Sequence, residues 1–190
     1  VNIKNRIDAR PLHMAVMLGN TAVAKLLLDN GADINAKTNA GETSLYISAL
    51  QDSTTMLELL LNRHADVNMT DITGSTPLHR AAKSNNTAAL KLLLSKHADA
   101  NIQDSNGDTP LHFAASLGFI PALELLLDNN AYINLQDNLG LTPLHLAVYL
   151  KHIEAAKFLL INQADINIQD ESEASPLHYV LLEGDAAMFQ

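Results

Sequence analysis

Apolar residues along this chain form short clusters separated by polar stretches, and the clusters return at a fixed interval. Residues 71–103, DITGSTPLHRAAKSNNTAALKLLLSKHADANIQ, carry one full cycle. Leu78, Ala81 and Ala82 stand at i, i+3 and i+4 and make one helical face, small enough for close helix contact. Thr76 can cap that helix with its hydroxyl, and Pro77 fits the first helical position, where a missing N–H is no loss. The helix stops near Ser84-Asn85, since Asn tolerates the left-handed backbone such a turn often needs. A second helix is predicted from Thr87 to Lys96, with Leu90, Leu93 and Leu94 on its apolar face and Leu92 beside them. His97-Ala98-Asp99 ends it, and the polar stretch from Asn101 to Gly107 forms an extended excursion before the next cap. The unit reads as helix, turn, helix and projecting hairpin loop.

This cycle repeats every 33 residues along the chain. Pro-Leu-His stands at Pro11, Pro77, Pro110, Pro143 and Pro176, and the variant Ser44-Leu45-Tyr46 falls at the expected place. Asn2, Asn35, Asn68, Asn101, Asn134 and Asn167 keep the same step, as do the leucine triplets that begin at Leu26, Leu59, Leu92 and Leu125. No insertion breaks the register. A fixed period of this length marks a solenoid, in which each unit buries its apolar face only by stacking on its neighbours.

The pattern resembles the ankyrin repeat, whose period and Thr-Pro-Leu-His element it shares. That element stands at Thr76–His79, Thr109–His112 and Thr142–His145, and Gly31-Ala32-Asp33 matches a second family motif. The resemblance implies an all-α solenoid of stacked helix-turn-helix repeats with projecting β-hairpin loops. It is expected to form a single domain over 1–190, with repeats at 5–37, 38–70, 71–103, 104–136 and 137–169 and a partial one at 170–190. The chain opens inside a hairpin and closes at Met188-Phe189-Gln190, soon after a second helix should begin, so it reads as a segment of a longer array or larger protein.

Departures from the repeat mark a natural array rather than an idealised one. The residue after the second helix is Gly31 once, then His64, His97, Asn130 and Gln163. If these sites are left-handed as in the family, each non-Gly residue costs on the order of 1 kcal/mol. Lys151 occupies a turn where Gly19, Gly118 and Gly184 sit. Repeat two has lost its Pro and His and has Ser48 in place of Ala, which predicts the weakest layer.

Charge and chemistry change this picture little. The net charge of −9 is largely architectural: Asp71, Asp104, Asp137 and Asp170 share one repeat position, and Asp33, Asp66, Asp99 and Asp165 another. With 12 Lys and Arg and no basic stripe, nucleic-acid binding lacks its electrostatic footprint. No apolar run nears the ~18 residues of a membrane span, and the absence of Cys removes disulfide and thiolate-metal chemistry. His13, His79, His112, His145 and His178 occupy one repeat position, so stacking holds them about 10 Å apart, too far to share a metal. Each is expected to bond its cap Thr and the adjoining loop. No nucleophile motif, Gly-rich phosphate loop or HExxH segment occurs, so neither catalysis nor a cofactor or metal is expected. The hairpin Asn residues read as hydrogen-bonded turn residues, although related arrays are substrates for asparaginyl hydroxylation there.

Function is then expected at positions that vary between copies. In the family these are the hairpin tips and the exposed part of the first helix, which line a concave groove. Leu139, Leu141, Tyr149 and Leu150 in repeat five, with Leu117 in repeat four, place apolar side chains where solvent is expected. Arg80 and Lys83 add a small basic spot in repeat three, suited to a carboxylate. The expected function is recognition of a partner protein by a monomeric, non-catalytic array in the cytoplasm. The alternative is a targeting or spacer segment of a larger enzyme, channel or bacterial effector, the last acting in a host cytosol; Asn, Ile and Lys usage is similar to that of ankyrin proteins from AT-rich bacterial genomes.

Overall fold

The computed structural model describes residues 1–51 and 53–181. Leu182, Glu183, Gly184 and the terminal Met188-Phe189-Gln190 lie outside the described residues, so the partial sixth repeat is seen over 170–181. The chain folds as two compact units, Val1–Asp99 and Ala100–Gln190.

In the first unit the helices are α1 (Pro11–Met17), α2 (Thr21–Asp29), α3 (Ser44–Ser48), α4 (Thr55–Asn62), α5 (Pro77–Lys83) and α6 (Thr87–Ser95). α1 packs on α2 and α3, α3 on α4 and α5, α2 on α4, and α5 on α6. The second unit holds α7 (Pro110–Ser116), α8 (Ile120–Leu127), α9 (Pro143–Tyr149), α10 (Ile153–Ile161) and α11 (Pro176–Leu181). There α7 packs on α8 and α9, α9 on α10 and α11, and α8 on α10. Each unit is thus a stack of helix-turn-helix pairs, first helix against first helix and second against second.

The caps explain why α5, α7 and α9 begin where they do. The hydroxyls of Thr76, Thr109 and Thr142 accept from the amides of His79, His112 and His145, and each imidazole Nδ1 accepts in return from the cap residue's own amide. Two amides that a helix start leaves unsatisfied are paired in this way, with His in the role usually taken by Glu or Gln. The Leu at the second position of each of the first five first helices fills the layer between pairs: Leu12, Leu45, Leu78, Leu111 and Leu144 are all fully buried, whereas Leu177 on α11 is 43% exposed.

Second helices are followed by the left-handed backbone that the family resemblance implies. Gly31, His64, His97, Asn130 and Gln163 all have φ between 61° and 78°, and Lys151 has φ 59°. The loops that follow are closed turns. Asp71, Asp104, Asp137 and Asp170 each donate their amide to the residue four positions on and accept from two backbone amides on one carboxylate oxygen. Single backbone bonds join one tip to the next, as Ile72 N–H to Ala40 and Glu171 N–H to Leu139. Among the described residues the hairpins carry no strand, because one bond per tip makes no ladder.

Candidate functional site

The recurring polar residues are taken up by the scaffold. The Nε2 of His13, His112 and His145 lies 2.9, 3.1 and 3.2 Å from the carbonyls of Ala36, Leu141 and Ala174, one hairpin further on. Burial lowers the pKa of all three imidazoles, so each is neutral and ties its helix start to the next loop. The Oδ1 atoms of Asn2, Asn35, Asn68, Asn101 and Asn134 accept from the amides of Asp33, Asp66, Asp99, Tyr132 and Asp165. His152, the one irregular histidine, has Nε2 2.9 Å from the Ser116 carbonyl. Asn86 at the equivalent place donates to Ala49 and Gln51, so this too is a link between layers. Among the described residues no group of three or more His, Cys, Asp or Glu is arranged to hold a metal.

What remains is surface. In the second unit Leu139 is 60% exposed, Tyr149 59%, Leu150 44% and Leu117 39%. Leu117 caps α7, Tyr149 and Leu150 end α9, and Leu139 follows the Asp137 turn at a hairpin tip. Leu141 differs: it is half-buried, because its amide donates to Asp137 and its carbonyl receives both the Asp137 amide and the His112 imidazole. The loop closure that fixes the hairpin draws this side chain inward. Tyr149 is braced edge-on by the Tyr179 ring, with centroids 5.6 Å apart.

The family description "Ankyrin repeats (3 copies)" matches residues 12–104 and again 78–170. The chain belongs to the ankyrin-repeat family. No curated protein matches it significantly. Ankyrin repeats are in general protein-interaction modules and typically non-catalytic.

Two features of this ankyrin array escaped the sequence reading. Tyr179, on α11, meets the His145 ring at 5.9 Å as well as Tyr149, and its hydroxyl donates to the buried Asp170 carboxylate. That bond, with burial second, pushes the Tyr179 pKa up to about 12. Arg80 is likewise not a free surface charge, since its guanidinium lies over the Tyr46 ring, 5.2 Å from the centroid. Both residues belong to one repeat column, Met14, Ile47, Arg80, Phe113, Leu146 and Tyr179. Reading down that column marks both residues as unusual, but their ring contacts lie with the neighbouring column of the preceding repeat. Lys83, one turn after Arg80, is exposed. Exposed apolar side chains also extend beyond repeats four and five: Met17, Leu18 and Leu50 stand out at the ends of first helices in the first unit.

Proposed function

We propose that residues 1–190 act as one ankyrin domain that recognises a partner protein, and that Leu117, Leu139, Tyr149 and Leu150 supply its apolar anchors. Leu141, half-buried, belongs to the same set. The observation that carries this reading is the exposure of four large apolar side chains on the hairpin tip and first-helix ends of one unit, with Tyr149 packed edge-on against Tyr179. Interfaces are enriched in such anchors, and an aromatic side chain already fixed in place loses little entropy on binding. In this family the same elements line the concave groove, which is where the partner would lie. That both family matches overlap between residues 78 and 104 supports a single continuous array. The proposed setting is the cytoplasm, and among the described residues no helix is long and apolar enough to cross a membrane.

Site-specific photo-cross-linking tests the placement. A photoreactive residue at Leu150 should capture the partner in cell extract, whereas one at Ile161, exposed at the end of α10, should not. Equal capture from both positions means general stickiness, and capture from Ile161 alone means that the second helices bind instead.

A further inference from the structure

The first unit carries a second feature, distinct in chemistry from the apolar surface. In the column Met14, Ile47, Arg80, Phe113, Leu146 and Tyr179, a guanidinium occupies a place that is apolar or aromatic in every other copy. Arg80 is half-buried, and Tyr46, over which it stacks, is buried. A ring face attracts a guanidinium and holds its plane. The Arg80 Nε is buried without a hydrogen-bond acceptor, and among the described residues no carboxylate pairs with its terminal nitrogens. Other arginines contrast with it. Arg10 also has an unpartnered Nε, yet its Nη1 holds Asp33 at 2.7 Å, and Arg63 holds Asp29 at 2.8 Å. Nε itself lies beyond the reach of an incoming group, so a partner's anion would be met by the terminal nitrogens, the outer donors of the same guanidinium.

The surrounding groups decide which anion. Asp71 is committed: one of its oxygens accepts from the Thr73 amide and hydroxyl and from the Ser75 amide, and the carboxylate also pairs with the Tyr46 hydroxyl. Glu42 adds a second negative charge near Tyr46. Beside these acids a doubly charged phosphate meets more repulsion than a singly charged carboxylate, whose planar pair of oxygens also matches the fork of one guanidinium. We propose that Arg80, seated on Tyr46, is the receptor for one Asp or Glu carboxylate of a partner protein. The site rests on the reading of the chain as a protein-recognition module but not on the apolar surface of the second unit.

The test is a nuclear magnetic resonance titration of the full, isotope-labelled chain with three probes at matched ionic strength: acetyl-Gly-Glu-Gly-amide, its Gln counterpart, and inorganic phosphate. The Nε–H signals of all the arginines and the ring signals of Tyr46 are followed. The Glu peptide should move Arg80 and Tyr46 several-fold further than it moves Arg6, which is exposed; the Gln peptide should not. Arg80→Met introduces the residue type of the equivalent Met14, so the melting temperature should hold while the Tyr46 response disappears. The proposal is overturned if Arg80 moves no further than Arg6, or if the Gln peptide acts equally. It is also overturned if phosphate shifts Arg80 more than the Glu peptide does, which would mark a phosphoryl site. The variant Leu139→Asp with Tyr149→Ala should respond like the parent chain, so failure of one site is read apart from failure of the other.

Discussion

His13, His112 and His145 are buried acceptors and donors at once, and burial holds their pKa below the usual 6.5. The unfolded chain therefore takes up protons first as pH falls, and the folded state follows only at its lower values. Their contribution to stability is full above about pH 6.5 and is lost as pH drops through the folded pKa values. Thermal melts should be flat above about pH 7 and should fall as pH drops below about 6.5; a profile that stays flat below about 6.5 would contradict the buried neutral imidazoles. Asp71 and Asp170 act in a lower window: burial works against their charge, but hydrogen bonds, including those from Thr73 and Tyr179, outweigh it and keep both below 3.8. Backbone strain is as specific. Gly107 has φ 81°, and a Cβ there would lie 2.5 Å from the Asn138 amide nitrogen. Gly31 has φ 78° with nothing within 4 Å of its Cβ position. Gly107→Ala should lower stability by about 2–4 kcal/mol in urea unfolding, and Gly31→Ala by about 1. Equal losses would show that the tips do not touch.

Among the elements, α3 is the shortest, spanning Ser44–Ser48. Thr43 still caps it, accepting from the Tyr46 amide at 3.1 Å, but Tyr46 returns no bond and the buried Ser44 hydroxyl has no partner. Thr43 is extended, with φ −88° and ψ 164°, a conformation compatible with a following proline. Ser44→Pro should therefore raise stability by about 1 kcal/mol, read as a higher urea midpoint. Hydrogen exchange should likewise open α3 before α5, and equal protection of the two would remove the case for a weak second repeat. Helix placement was legible in the chain because α5, α7 and α9 start at Thr-Pro pairs, α1 and α3 keep one member of that pair, and a left-handed residue follows each second helix. The predicted end of the second helix at Lys96 falls one residue beyond Ser95. The Arg80–Tyr46 and Tyr179–His145 contacts were not legible. Each joins one repeat column to the adjacent column of the preceding repeat, and a column read alone does not show it.

At the scale of the whole molecule, scaffold and surface largely separate. Most positions that recur are spent on caps, imidazole links, turn closures and the core, with Leu26 and Leu177 exposed, and the positions that vary carry most of the other exposed apolar groups of the first helices and tips. Leu139, Tyr149 and Leu150 were legible as surface because their columns hold no constant residue. Leu141 differs in degree: its side chain is half-buried, and its backbone closes the loop. The central claim is that the exposed set binds a protein. Titration calorimetry of the cross-linked partner, once purified, against the parent chain and the variant Leu139→Asp with Tyr149→Ala tests it most directly. Loss of the Tyr149–Tyr179 edge contact lowers stability by about 1 kcal/mol, so the variant should stay folded with a melting temperature only slightly reduced. Binding should weaken at least about 30-fold, the equivalent of one interface anchor. A folded variant that binds the partner as tightly as the parent chain would contradict the account.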